Sequence, residues 1–252
     1  MLINPLKDKL HSLGWHGMLK AFEEQAASPG IQDLNFDDRL GLMVDREITE
    51  RDTRRLKNRL AKARLRQNAC LEDIDYRQKR GLEKSLILAL ASCQWIREHH
   101  NVIISGPTGV GKSYLACALG HRACMEGFSV AYKRTSALIR ELTMAKADGS
   151  YQRLISAYDK TSLLILDDWG LDKLSHDHSL DLLELLDDRC LRSATIITAQ
   201  VPADQWHETI ADPTLADAIL DRLVHNAYKI NLKGESMRKK HAILTQQTQP
   251  VA

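Results

Sequence analysis

Long apolar runs are missing from this chain; the longest falls far short of the roughly 20 residues a bilayer-spanning helix needs. The opening stretch, Met1-Leu-Ile-Asn-Pro-Leu-Lys-Asp8, lacks the basic start and apolar segment of a secretory signal. Paired cysteines are missing too. Cys70, Cys93, Cys117, Cys124 and Cys190 are odd in number, scattered and without a C-x-x-C pair. That spacing argues against a disulfide frame or a thiolate metal site and predicts small buried apolar residues in a reducing cytoplasm. Neither internal repeats nor low-complexity segments occur.

What is present is a chain of 252 residues, 44% apolar and 27% charged, enough for one α/β domain with a smaller appendage. The net charge of +2 says little, but its distribution says more. Between residues 46 and 66 stand Arg46, Arg51, Arg54, Arg55, Lys57, Arg59, Lys62, Arg64 and Arg66, against only Glu47, Glu50 and Asp52. An acidic polymer is the natural partner of such a stretch.

The first third reads as helical. Leu6, Leu10 and Leu13, then Met18, Leu19 and Phe22, recur at helical spacing until Ser28-Pro29-Gly30 breaks the pattern. A second helix after Asn35 places Phe36, Leu40, Met43, Val44 and Ile48 on one face and runs through Leu56 and Leu60 into the basic stretch. From about Asn68 the character changes. A helix over Leu82 to Glu98 leads into the apolar run Val102 to Ser105, and a helix over Ser113 to Glu126 follows. Strand-like segments then recur at Phe128 to Tyr132, Leu163 to Leu166, Ala194 to Thr198 and Tyr228 to Leu232. Strands alternating with helices predict an α/β fold with a parallel sheet covered on both faces, preceded by a small helical domain. The expected domains are 1–67 and 68–252.

Gly106-Pro-Thr-Gly109-Val-Gly111-Lys112-Ser113 fits G-x-x-x-x-G-K-[ST], a pattern expected by chance in about one chain per hundred of this length. The context narrows it further, since an apolar strand precedes it and a helix follows. Glycines let the backbone wrap phosphate oxygens without Cβ clashes, and the helix N-terminus adds unpaired N–H groups and a positive dipole end. The predicted nucleotide contacts are Gly106, Pro107, Thr108, Gly109, Val110, Gly111, Lys112, Ser113 and Tyr114, with Lys112 against the β and γ phosphates of ATP and Ser113 toward Mg²⁺. Leu163-Leu-Ile-Leu-Asp167-Asp168 supplies four apolar residues ending in two carboxylates. Asp167 is expected in the Mg²⁺ shell and Asp168 beside the attacking water.

The P-loop, the Leu-Ile-Leu-Asp-Asp-Trp-Gly segment and the C-terminal Leu-Lys-Gly-Glu-Ser-Met-Arg-Lys-Lys resemble IstB, the ATP-binding helper of IS21-type insertion sequences. The resemblance covers nearly the whole chain, including Arg39-Leu40, Val44 to Glu47, and Asp75 with Arg80 to Leu82. IstB is similar to DnaC-type helicase loaders, and both belong to the initiator clade of AAA+ ATPases. The resemblance implies an AAA+ sheet with nucleotide between subunits of a homo-oligomer. It implies a sensor role for Thr198 or Gln200, an arginine finger at Arg222 acting in trans, and a sensor-2 arginine at Arg238. It implies a DNA-facing insertion over Arg134 to Lys160, carrying Arg134, Arg140, Lys146, Arg153 and Lys160. Two departures stand out: Asp168 replaces the Glu of many AAA+ proteins, implying slow hydrolysis, and about twenty residues after the last strand leave little room for a helical lid.

The expected function is therefore an ATP-dependent helper that oligomerises on duplex DNA, presents it to a transposase of the IstA type, and hydrolyses ATP to release or reset the assembly. DNA contacts are expected from Arg51, Arg54, Arg55, Lys57, Arg59, Lys62, Arg134, Arg140 and Arg153, through phosphates rather than bases. A helicase loader with the same core and an ATP-gated scaffold with negligible turnover are the alternatives. His176-Asp177-His178 reads as a loop and converges poorly on a metal. His99, His100 and His207 read as surface or loop residues, and Trp15, Trp95, Trp169 and Trp206 as packing.

Overall fold

The structure, a computed structural model, describes residues 3–78 and 80–237. Two compact units divide the chain, Met1–Asn58 and Arg59–Ala252, and the division falls inside a long helix ahead of the composition change at Gln67.

The first unit holds α1 (Ile3–Ser12), α2 (His16–Ala27), a single 3₁₀ turn and the start of α3 (Phe36–Ala63). Asn35 opens α3 by accepting the Asp38 N–H at 2.8 Å, and Asp37 and Asp38 complement the positive end of the helix. What joins α2 to α3 is polar. The Glu47 carboxylate accepts the N–H groups of Gly17 (2.7 Å) and Met18 (3.0 Å), two orphan donors of the first turn of α2, while Arg51 pairs with its other oxygen at 2.6 Å. Burial opposes the Glu47 charge, but the donors from Met18, Arg51 and Gly17 outweigh it and hold the carboxyl below its ordinary value. Gly17 permits this approach, because a Cβ there would lie 2.6 Å from the Arg46 carbonyl oxygen. The apolar face expected on α3 lies mostly open: Phe36 is 72% exposed, Leu40, Val44 and Ile48 are exposed as well, and Met43 is half-buried. Trp15, expected in packing, is also exposed. The cause is the polar latch at Glu47, which turns another face of α3 toward α2.

The second unit is a three-layer α/β domain. After α4 (Lys84–Ala91) and α5 (Gln94–Arg97) come β1 (Asn101–Ser105), α6 (Lys112–Met125), β2 (Val130–Arg134), α7 (Thr135–Asp148), α8 (Tyr151–Asp159), β3 (Leu163–Trp169), α9 (His176–Arg189), β4 (Ala194–Ala199), α10 (Pro213–Val224) and β5 (Ala227–Asn231). Among the described residues five strands, all parallel, form one sheet in the order β2-β3-β4-β1-β5. Leu164 and Leu166 join Leu138, Leu142, Leu182 and Trp206 in the core beneath α7, α9 and α10. Between them Ile165 points the other way to α6, where Gly120 leaves room: a Cβ would lie 2.7 Å from the Ile165 Cδ1. No helix among the described residues is long and apolar enough to cross a membrane.

Two local expectations change. The single helix over Leu82 to Glu98 is broken at Cys93, whose φ is +56°. Burial decides it: the break turns Trp95 and Ile96 into the core and lets the Trp95 indole donate to the Leu90 carbonyl at 2.9 Å. His176-Asp177-His178 is the first turn of α9 rather than a loop, capped by Ser175, whose hydroxyl accepts the His178 N–H. Cys93, Cys117 and Cys124 are buried, and burial pushes the Cys93 and Cys124 thiols up to about 11, so they stay protonated.

Arg189 closes the far end of the sheet. It is 1% exposed and donates to the Tyr158, Thr161 and Ala194 carbonyls, tying the end of α8 to the start of β4. Burial lowers its pKa to about 10, still far above neutrality, so it remains a cation caged by carbonyls.

Two predictions follow from these anchors. Gly17→Ala and Glu47→Gln should each destabilise the N-terminal helices by about 1–3 kcal/mol, seen as faster hydrogen exchange at the Met18 amide. Because the folded Glu47 pKa lies below 4.5, its contribution is complete above that value and fades as pH falls through the lower folded one, so the exchange difference should vanish in acid. Arg189→Met should cost about 3 kcal/mol in chemical unfolding, since it takes a charged donor from the Tyr158, Thr161 and Ala194 carbonyls at once; a loss under 1 kcal/mol would contradict the cage.

Candidate functional site

The site begins where β1 ends. The chain turns through Gly106–Gly111 and enters α6 at Lys112. Gly106 and Gly109 have φ of +144° and +89°, and a Cβ would lie 2.2 Å from the Leu232 oxygen at the first and 2.1 Å from the Ser236 Oγ at the second. Only glycine fits this loop. Val110 is buried and anchors it, while Pro107 and Thr108 are exposed at its tip. Gly111 caps α6, whose first N–H groups point out of a 14-residue helix into the loop. The Lys112 ammonium lies inside the loop on the Gly106 and Pro107 carbonyls, at 2.6 and 2.9 Å.

The tip of β3 faces this loop. Asp167 is fully buried and both of its oxygens are taken. Oδ1 accepts the hydroxyls of Ser113, at 2.8 Å, and Thr198; Oδ2 accepts the Tyr132 hydroxyl and lies 3.5 Å from Arg66. The sheet order makes this possible: β3 lies between β2, which brings Tyr132, and β4, which brings Thr198. Burial, then the bond to Asp167, raises the Tyr132 pKa, so its phenol stays a donor. The contact with Tyr132 raises the Arg66 pKa against the lowering effect of burial, and attraction to Asp167 and Asp168 adds to it.

Asp168 follows in an unusual conformation. The β3–β4 register shifts between Leu166 and Trp169, and Asp168 has a φ of +62°, which Asp tolerates better than most residues. Its N–H donates to the Thr198 hydroxyl at 3.0 Å, and its carboxylate lies 3.7 Å from Arg66. Asp168 opens onto a cavity of about 470 Å³, lined also by Thr108, Gly109, Lys112, Ser113, Tyr114 and Gln200. Of the two sensor candidates, Thr198 is committed to Asp167 and Asp168, whereas Gln200 is exposed and faces the cavity. The remaining wall comes from Gly111 of the loop and from Gln67, Asp73, Ile74, Asp75, Arg80 and Met237, the last six not singled out for this site in the sequence. Arg80 donates to the Val110 and Asp75 carbonyls, fixing the linker beside the loop. After β5 the chain turns back over the loop, and the Met237 N–H donates to the Gly109 oxygen at 2.9 Å.

Other expected residues stand elsewhere. Arg222, on α10, donates to Asp187 at 2.5 Å and to the Ala218 carbonyl, and lines a different surface hollow with Asp221 and His225. Arg238 lies outside the described residues. Arg54, Arg55, Lys57 and Lys62 are exposed on α3; Arg55 pairs with Asp52, Arg51 with Glu47, and Arg59 donates to the Cys124 carbonyl at 2.7 Å. Arg134, Arg140 and Arg153 are exposed, and the first two line a cavity of about 290 Å³ that also touches Asp168. Among the described residues no cluster of His, Cys, Asp or Glu is arranged as a metal site.

An insertion sequence ATP-binding protein of Sinorhizobium fredii, y4pL, is 50% identical over 239 residues, covering 95% of this chain and 98% of that protein. The insertion sequence IS21 ATP-binding protein of Pseudomonas aeruginosa is 32% identical over 248 residues, covering 97% and 92%. The crystal structure of DnaI superposes with a TM-score of 0.58 at 22% identity, over 66% of this chain and 91% of that one, and shares the AAA+ fold. The sequence model described as IstB-like ATP binding protein matches residues 8–245, and the chain belongs to that family.

Proposed function

We propose that this protein is an ATP-dependent helper of transposition that assembles on duplex DNA, presents it to a transposase of the IstA type, and uses ATP hydrolysis to release or reset the assembly. One observation carries the reading: the hydroxyl of Ser113, at the start of the helix behind the P-loop, is joined to Asp167 at the tip of β3. That pairing supports a magnesium–triphosphate site, and the relatives that span nearly the full chain bear insertion-sequence ATP-binding names.

The donor set fits both groups. Glycine-only backbone, the N-terminus of α6 and the Lys112 ammonium suit a triphosphate. The Ser113 hydroxyl and Asp167 carboxylate are hard oxygen ligands suited to Mg²⁺. Bound magnesium–ATP supplies a γ-phosphoryl group for transfer to water. Lys112 leaves the loop carbonyls to meet the β and γ phosphates. Asp168 orients the water, with Gln200 beside it. Arg222 reaches the γ-phosphate of a neighbouring subunit, joining nucleotide to assembly, and Arg238 acts from the C-terminal segment. Asp168 is one methylene shorter than Glu and held at positive φ, which suits slow, DNA-stimulated turnover.

DNA affinity comes from the exposed bases of α3, chiefly Arg54, Arg55, Lys57 and Lys62, with Arg51 and Arg59 partly held by their own partners, and from Arg134, Arg140 and Arg153 of the insertion. The helicase-loader reading rests on likeness of fold alone, whereas the insertion-sequence names come with high identity and coverage. The protein is expected to work in the bacterial cytoplasm.

Three experiments test this reading. Lys112→Ala should lose ATP binding and ATP-dependent assembly on duplex DNA, measured by fluorescence polarisation and light scattering. In the parent, affinity for DNA should drop about a thousandfold between 50 and 200 mM salt if some six phosphates are contacted. Assembly indifferent to both Lys112 and nucleotide would refute the proposal. Asp168→Asn should retain ATP binding but lose about a hundredfold or more in turnover; if strand transfer then continues unchanged, ATP acts as a gate rather than a fuel.

A further inference from the structure

Arg66 is a basic side chain set between the two acids of the site, with Nη1 3.5 Å from Asp167 Oδ2 and 3.7 Å from Asp168 Oδ2. It comes from the segment behind α3, not from the P-loop, the sheet or the C-terminal strand. Asp167 is fully buried and Asp168 about a third exposed, so the pair concentrates negative charge where water screens it little. A guanidinium placed against both carboxylates lowers their mutual repulsion.

A divalent ion held by Ser113 and Asp167 makes the same demand on the same carboxylates. We propose that Arg66 is an internal counter-cation of the Asp167–Asp168 pair and that it competes with magnesium for them. The inference rests on the magnesium–nucleotide reading of the site and adds a residue that neither the P-loop nor the acidic strand end contains.

Geometry explains how such competition reaches the rest of the chain. Arg59 is pinned by its bond to the Cys124 carbonyl, Ala63 is buried, and Arg64 breaks the helix at a φ of +50°. Between that break and the acids, Leu65 reaches the sheet-facing side of α6 near Gly120, so the short segment is fixed at both ends. Arg66, 38% exposed, has solvent to swing into when the carboxylates turn to metal. Outside the site it joins Lys62 and Arg64 on the exposed basic segment, where a polyanion would hold it away from the acids. Nucleotide and DNA then favour the same position of one side chain.

The test is a magnesium titration of a fluorescent ATP analogue bound to the full-length protein, comparing the parent with Arg66→Met and Arg66→Lys. Removing the competing cation should lower the magnesium midpoint by about fivefold in Arg66→Met, with Arg66→Lys between it and the parent. Magnesium alone, without nucleotide, should raise the melting temperature of Arg66→Met more than that of the parent. Should Arg66→Met fail to fold, Arg66→Lys alone decides, because it keeps the charge but loses the planar guanidinium whose Nη1 lies against both acids. Coincident midpoints, or a higher midpoint in the variants, would overturn the proposal. Weaker analogue binding by the variants at every magnesium concentration, including none, would overturn it by making Arg66 a phosphate ligand. If the parent binds no analogue at any magnesium concentration, it is the nucleotide reading that falls, and the magnesium-only melting comparison still judges Arg66.

Discussion

A carboxylate sealed from water is tolerable only when donors surround it, and Asp167 has them on both oxygens. Ser113 and Thr198 bind one oxygen, and Tyr132 and Arg66 address the other. Each donor comes from a different part of the chain: the helix behind the P-loop, β4, β2 and the segment after α3. The parallel order β2-β3-β4-β1-β5 is what lets them meet, because it sets β3 between the strands carrying Tyr132 and Thr198 and turns its tip toward the loop after β1. Moving any of these elements would leave a buried charge short of a partner, so the core beneath the sheet and the chemistry at its edge constrain each other.

The two units are held by different forces. The larger one has apolar layers on both sides of the sheet, with Leu164, Leu166 and Trp206 in one and Ile165 against α6 in the other. The smaller one buries little. Leu10 and Ala21 are its covered apolar side chains, and its helices are joined through Glu47 and the close approach at Gly17. Periodicity in the sequence registered Phe36, Leu40, Val44 and Ile48 as a stripe, and the stripe exists, but periodicity reports that a face is apolar and not what covers it.

Much of the site was legible because it is local. The loop Gly106 to Ser113 and the strand ending in Asp167 and Asp168 are contiguous runs whose chemistry follows from backbone freedom and from the residues at their ends. The expected strands fall within three residues of the observed ones, the largest gap being β3, which runs on to Trp169, since short β-branched runs between helices leave few alternatives. What was hidden is what folding brings from far away. Tyr132 and Arg66 carry no motif; their part depends on strand order and on where the chain emerges from α3. Arg59 looked like another base in a basic run, yet it donates to the Cys124 carbonyl. The break at Cys93 was invisible for a related reason: helix propensity favoured continuity, and burial of Trp95, a tertiary gain, outweighed it.

Asp168 shows how the hidden and the legible parts depend on each other. Its positive φ and the register shift beside it bend β3 at the residue that faces the cavity, and strain of this kind persists only where surrounding bonds over-determine it. The Thr198 hydroxyl supplies that constraint by accepting the Asp168 N–H while donating to Asp167. A single hydroxyl therefore couples the two acids, and its proton is spent on Asp167, so it has no second proton to give a ligand. That leaves Gln200, exposed at the end of β4, as the side chain of the sensor segment with donors and an acceptor open to the cavity. The sequence left Thr198 and Gln200 open, and the proton count on one buried hydroxyl favours Gln200 as the contact to nucleotide in the proposed site.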